Sequence, residues 1–174
     1  MASRMPLRYS KKVIELFRNP VNMGPMEDAD VVVVEGSPAC GDMIAFYLKV
    51  RDNRIEKITF ESYGCAANIA AASMLTMMTQ GKTLEEAWRI TWKELDEALG
   101  GLPKIKYHCS ALAVGALKKA IRKYIEEHGI DAPWLPRKKV YEEEAVEEYY
   151  KEKEQLYQEI LGSEKKTKES KKEE

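Results

Sequence analysis

The chain has 174 residues, 44% of them hydrophobic and 33% charged, with a formal net charge of -1. That length suits one globular domain with room for an extension, and the balanced charge argues against nucleic acid, which needs a basic surplus to meet its phosphates. No apolar run nears the ~20 residues that span a bilayer, and Met1 to Ser10 has neither an apolar h-region nor an amphipathic Arg/Ser stretch, so the expectation is a cytoplasmic protein with no membrane contact.

Ser10 is placed to cap a short first helix carrying Val13, Ile14 and Phe17, which must stop before Asn19-Pro20 because proline disfavours helix at the residue before it. Pro20 to Asp30 reads as a loop. Val31 to Val34 and Met43 to Val50 read as strands, and Asp52-Asn53 supplies the turn into a third. In that third strand, Arg54 to Phe60, Ile55, Lys57 and Thr59 alternate with Glu56, Ile58 and Phe60. Short connections make this an antiparallel meander. Ala66 to Gln80 is rich in Ala and Met and stops at Gly81, as a helix does. Thr83 with Glu86, and Thr91 with Glu94, have capping-box spacing and predict two short helices ending near Gly100-Gly101. From about Cys109 to His128, Leu112, Ala116, Leu117, Ala120, Ile121 and Tyr124 recur at helical spacing. The fold class is therefore α+β, a three-stranded antiparallel sheet with helices packed on one face.

After Asp131 the composition shifts. Pro133 and Pro136 mark a boundary, and Tyr141, Val146, Tyr149, Tyr150, Tyr157, Ile160 and Leu161 could line one face of a charged helix. The expected division is a domain over 1–130, a charged helical extension over 131–161 and a disordered tail over 162–174 with no apolar side chain.

Three cysteines with no secretion signal argue against a disulfide framework. Cys40 falls between two predicted strands, Cys65 where the last strand meets the first long helix, and Cys109 at the start of the last helix. Thiolates at such ends gain from free backbone N–H groups and the helix dipole. Taken one at a time, a cysteine is more often a small buried hydrophobe than a ligand, and the separations of these three match no zinc-finger spacing. Their neighbours favour a shared metal site. Gly41 and Gly64 allow close backbone approach, and Asp42 and His108 bring a carboxylate and an imidazole within two positions of a cysteine. The methionines Met74, Met77 and Met78 read as core packing, Trp88, Trp92 and Trp134 as core or docking surface, and His128 as the cation at a helix C-terminus.

Four stretches, in order, carry a resemblance: Tyr9-Ser10 through Asn19-Pro20, Pro38-Ala39-Cys40-Gly41-Asp42, Tyr63-Gly64-Cys65 with Asn68 to Ser73, and Lys106 to Ala113. Together they resemble the IscU/NifU amino-terminal family over about residues 9–125. The resemblance implies a scaffold on which a 2Fe-2S cluster is assembled from iron and sulfur and passed to apo iron–sulfur client proteins. It implies a cysteine desulfurase as sulfur source and a ferredoxin-like electron donor. By the same resemblance Cys40, Cys65 and Cys109 are the thiolate ligands, Cys109 the candidate persulfide acceptor, Asp42 and His108 alternatives for the fourth position, and Lys106 the nearby family lysine. Three soft thiolates with one harder ligand suit a cluster that must be released. The same set could hold zinc in the cluster-free form. Shielding of a bound cluster by a second chain gives a reason for a homodimer. In Leu102-Pro103-Lys104-Ile105-Lys106 the family's second proline is missing, which counts against reliance on a dedicated chaperone. The alternative function is a zinc-bound sulfurtransferase that accepts persulfide from a desulfurase; relatives of that kind lack the histidine and carry an insertion before the third cysteine. On a regular helix adjacent side chains point about 100 degrees apart, so His108 and Cys109 are expected to share a site only if the helix begins at or after them.

Overall fold

The computed structural model describes residues 8–37, 41–137, 151 and 155. The chain forms two compact units, Met1–Arg137 and Lys138–Glu174. Of the second unit only Lys151 and Gln155 are described, so the apolar face expected around Tyr149 and the expected tail over 162–174 lie outside the described residues, as does Cys40.

The first unit opens with helix α1 (Lys11–Arg18), capped by the Ser10 hydroxyl, which accepts from the Val13 N–H at 3.1 Å. Its buried side chains are Val13 and Leu16. Of the apolar residues that the sequence places on this helix, Ile14 and Phe17 are 40% and 47% exposed. Three antiparallel strands follow in the order β1 (Val31–Ser37), β2 (Asp42–Arg51) and β3 (Arg54–Tyr63). The first and third run three residues past the sequence expectation, with β1 pairing continuing from Val31↔Leu48 to Ser37↔Asp42. That extension needs Gly36: its φ is +80°, and a Cβ there would sit 2.2 Å from the Asp42 carbonyl oxygen. Asp52 and Asn53, both at positive φ, turn β2 into β3 as a two-residue hairpin demands. A bulge follows: Lys49 pairs with Lys57 but Val50 with Ile55. It shifts the alternation by one, so Ile55 joins Ile58 and Phe60 on the fully buried face.

That face, completed by Ile44, Phe46 and Leu48 of β2, is covered by α2 (Ala66–Thr79) and α5 (Tyr107–His128). Helix α2 is buried nearly all round, which its small alanines permit. Val21 N–H donates to Ser73 Oγ at 2.8 Å and Asn22 Nδ2 to Thr76 Oγ1 at 3.1 Å, fastening the loop after α1 to α2. Met74 packs in the core as expected, whereas Met77 is 44% exposed. The short helices α3 (Leu84–Trp88) and α4 (Trp92–Ala98) start at Thr83 and Thr91. Thr91 and Glu94 make the full capping box, while the Glu86 carboxylate instead accepts from the Thr83 hydroxyl. Trp88 is buried and meets Trp134 at 5.9 Å, and Trp92 meets Tyr107 at 5.5 Å. His128 ends α5, its Nδ1 donating to the Tyr124 carbonyl, before Gly129 at φ +59°. A short 3-10 turn, Lys104–Lys106, leads into α5.

Candidate metal and thiol site

Three element ends meet at one edge of the sheet: the start of β2, the junction of β3 with α2, and the first turn of α5. Asp42 opens β2. Cys65 is the residue preceding α2, in extended conformation with φ -77° and ψ 171°, half-buried at the positive end of the helix. His108 and Cys109 are the second and third residues of α5.

The donor atoms converge. Cys65 Sγ lies 3.7 Å from Cys109 Sγ. Cys109 Sγ lies 3.5 Å from His108 Nε2, and that nitrogen lies 3.0 Å from Asp42 Oδ2. Asp42, His108 and Cys109 place one ligand atom each within 4.8 Å of one another. The expectation that adjacent His108 and Cys109 need a helix starting at or after them does not hold. The helix begins at Tyr107, yet both reach the same point, because helical side chains lean toward the N-terminus and the imidazole is long enough to close the angle between them.

The electrostatics divide the two thiols. The hydrogen bond from Cys109 holds the Cys65 thiol down to about 5, with burial acting against it and the Asn68 backbone N–H and Lys106 helping. The same bond, with burial, pushes Cys109 far above the usual thiol range. The two thiols are coupled, with Cys65 the more acidic of the pair. Burial works against the charge of Lys106, but Cys65, Tyr9 and Cys109 outweigh it and raise its pKa. Burial, more than the charges around it, raises that of Tyr9.

Two further features fit a metal-bearing cargo. His108 Nδ1 donates to the Ile105 carbonyl at 3.1 Å, which fixes the ring and turns Nε2 toward Asp42 and Cys109. A proton or a metal ion has to lie between Nε2 and Oδ2 to hold them together. Asp42 Oδ1 is buried and has no hydrogen-bond partner among the described residues, a costly arrangement unless a cation or donor arrives. Of the residues singled out in the sequence, Asp42, Cys65, His108 and Cys109 are thus together, with Lys106 and Tyr9 near enough to influence them. Ser37 and Asp42, which bracket the segment holding Cys40, are paired. Asn68 carries no role in the sequence analysis; its signal is a polar amide in the alanine-rich first turn of the helix that directly follows Cys65.

Residues 8–130 match the model of the NifU-like N terminal domain. The chain belongs to that family. It is 55% identical over 121 residues to an iron-sulfur cluster assembly scaffold protein IscU of Archaeoglobus fulgidus, covering 70% of this chain and 79% of the relative. A scaffold protein IscU of Aquifex aeolicus is 42% identical over 152 residues, covering 85% of this chain and 96% of the relative. A crystal structure of a NifU-like N-terminal protein from Brucella abortus has the same fold, with a TM-score of 0.54 at 24% identity, covering 68% of this chain and 94% of that one. Among the described residues no helix is long and apolar enough to cross a membrane.

Proposed function

We propose that this iron–sulfur cluster assembly scaffold builds its cargo, a 2Fe-2S cluster, on Cys40, Cys65 and Cys109, with Asp42 or His108 in the fourth position. The observation that carries the reading is the convergence of two sulfurs, an imidazole nitrogen and a carboxylate oxygen from three separate elements. Thiolates suit iron–sulfur clusters, and the harder oxygen or nitrogen leaves one iron open to exchange. The protein turns over no small molecule; it takes sulfur from a cysteine desulfurase and electrons from a ferredoxin-like donor, and hands the cluster to apo client proteins in the cytoplasm. Zinc occupies the same donors in the cluster-free form. Cys109 is the sulfur acceptor; since its side chain is fully buried, delivery has to open the start of α5 or pass by way of the more accessible Cys65. The zinc-bound sulfurtransferase reading is not favoured, since the curated relatives are named as cluster assembly scaffolds.

Anaerobic reconstitution with iron, sulfide and a desulfurase should give a visible chromophore, and alanine at Cys40, Cys65 or Cys109 should abolish it. A colourless wild-type product would sink the reading. Asp42→Ala should lengthen the lifetime of the bound cluster, measured as bleaching in the presence of a chelator. Unchanged or faster bleaching would remove Asp42 from the release step.

A further inference from the structure

Asn68 is fully buried in the third position of α2, in the run Ala66-Ala67-Asn68-Ile69-Ala70-Ala71-Ala72. Asparagine forms helix less readily than alanine, and burying an amide costs free energy unless its hydrogen bonds are made. Its amide nitrogen reaches two strands at once: it donates to Ser62 Oγ at 2.9 Å and to the Met43 carbonyl at 3.3 Å. Met43 follows Asp42 on β2, Ser62 is the penultimate residue of β3, and the Asn68 backbone N–H bonds the Cys65 carbonyl at 3.0 Å. The amide therefore ties together all three segments that bear Asp42 and Cys65. Gly64 makes room for this. A Cβ there would stand 2.6 Å from Asp42 Oδ1 and 2.8 Å from Asn68 Nδ2, so the carboxylate and the amide flank the same glycine. The side-chain oxygen Oδ1 of Asn68 has no partner among the described residues. A side chain kept only for packing would be better served by an apolar group of similar size.

We propose that Asn68 is a positioning residue for the metal-binding group: by clamping the first turn of α2 to the ends of β2 and β3, it fixes the Asp42 carboxylate relative to the Cys65 thiolate. The inference rests on the reading that these donors bind metal. It acts through geometry and not through contact with the cargo, as outer partners of metal ligands do. Without the clamp the thiols remain, but the oxygen donor is held less closely beside them.

The test is anaerobic titration of the metal-free full chain with Co(II), followed by absorption. The wild type should show sulfur-to-cobalt charge transfer and the ligand-field bands of a four-coordinate site; their absence would overturn the metal reading itself. Asn68→Ala should keep charge transfer, shift the ligand-field bands and weaken cobalt binding by about tenfold. In an Asp42→Ala background the same substitution should change affinity by less than about twofold, because the group it positions is gone. Wild-type affinity and bands in Asn68→Ala would overturn the proposal, as would an equal loss in both backgrounds. Should Asn68→Ala fail to fold, Ser62→Ala, which removes one of the two acceptors, carries the test: a smaller loss in the same direction supports the clamp, and unchanged bands and affinity overturn it.

Discussion

Cys65 and Cys109 lie 3.7 Å apart and titrate as a coupled pair, which sets how the metal-free site responds to pH. Cys65 is held down to about 5 by the hydrogen bond from Cys109, and Cys109 is pushed up by the same bond. Below about 5 both thiols are protonated in the folded and unfolded chains alike, and the pair adds nothing to stability. As pH rises from there toward the ordinary thiol value of 9.0, the unfolded chain still holds both protons while the folded one holds one, so stability rises. Above that value the unfolded chain loses both and the folded chain keeps one, so the gain declines again. Iodoacetamide labelling of the metal-free protein with peptide mapping should show Cys65 modified at a rate nearly flat from pH 8 down to about 6 and falling through about 5, with Cys109 unmodified. A Cys65 rate that falls tenfold per unit from pH 8 would contradict the coupled titration. Gly64 is the other sensitive point at this scale. Gly64→Ala has no forbidden backbone angle to blame, only a methyl group set against Asp42 Oδ1 and Asn68 Nδ2. It should cost about 1–3 kcal/mol, read by denaturant unfolding.

At the level of elements, the site depends on where helices and strands begin. Ser10 caps α1 and also donates its hydroxyl hydrogen to the Leu99 carbonyl at the end of α4, joining two helices far apart in sequence. Ser10→Ala removes both bonds and should lower stability by about 1–2 kcal/mol, with the chevron or melt as readout. The outer strand β1 is held by α5: Lys119 bonds Glu35, and Lys123 Nζ donates to the Val32 carbonyl at 3.2 Å. These lysines occupy polar groups on an edge strand that would otherwise invite another strand. The same α5 carries His108 and Cys109 in its first turn, so a single rigid helix orients the imidazole and closes the edge of the sheet.

Across the first unit, one apolar layer between sheet and helices keeps the three element ends in register. Ile44, Phe46, Leu48, Ile55, Ile58 and Phe60 on the sheet meet Ala70, Ala71, Leu75, Ala113, Leu117 and Ile121 from α2 and α5, all of them fully buried. Phe60 is pinned further, its backbone N–H donating to the Asn22 carbonyl at 3.0 Å and its carbonyl accepting from Gly24 at 2.8 Å. Phe60→Ala should therefore cost about 3–5 kcal/mol, measured by urea unfolding of the metal-free chain. Because this packing holds the three element ends in register, the variant should also lose cobalt affinity although residue 60 bears no donor. A variant that melted early yet bound cobalt as tightly as wild type would show that the donors are held locally instead.

How far the sequence reaches can be seen residue by residue. Caps at Ser10, Thr83 and Thr91, the Asp52-Asn53 turn, the Gly81 and Gly129 stops and the α+β order are local chemistry, written in spacing and residue type, and they were legible without coordinates. Asp42, Cys65, His108 and Cys109 stood out as candidates because a carboxylate and an imidazole lie within two positions of cysteines at element ends. Tertiary structure alone decided the bulge that buries Ile55, the exposure of Phe17 and Met77, and the approach of two cysteine sulfurs 44 positions apart. It alone decided that Asn68 points into the junction. The reason is physical: capping and turns depend on neighbours within four residues, whereas burial, hydrogen bonding across elements and thiol acidity depend on which distant groups the packed core brings within a few ångströms.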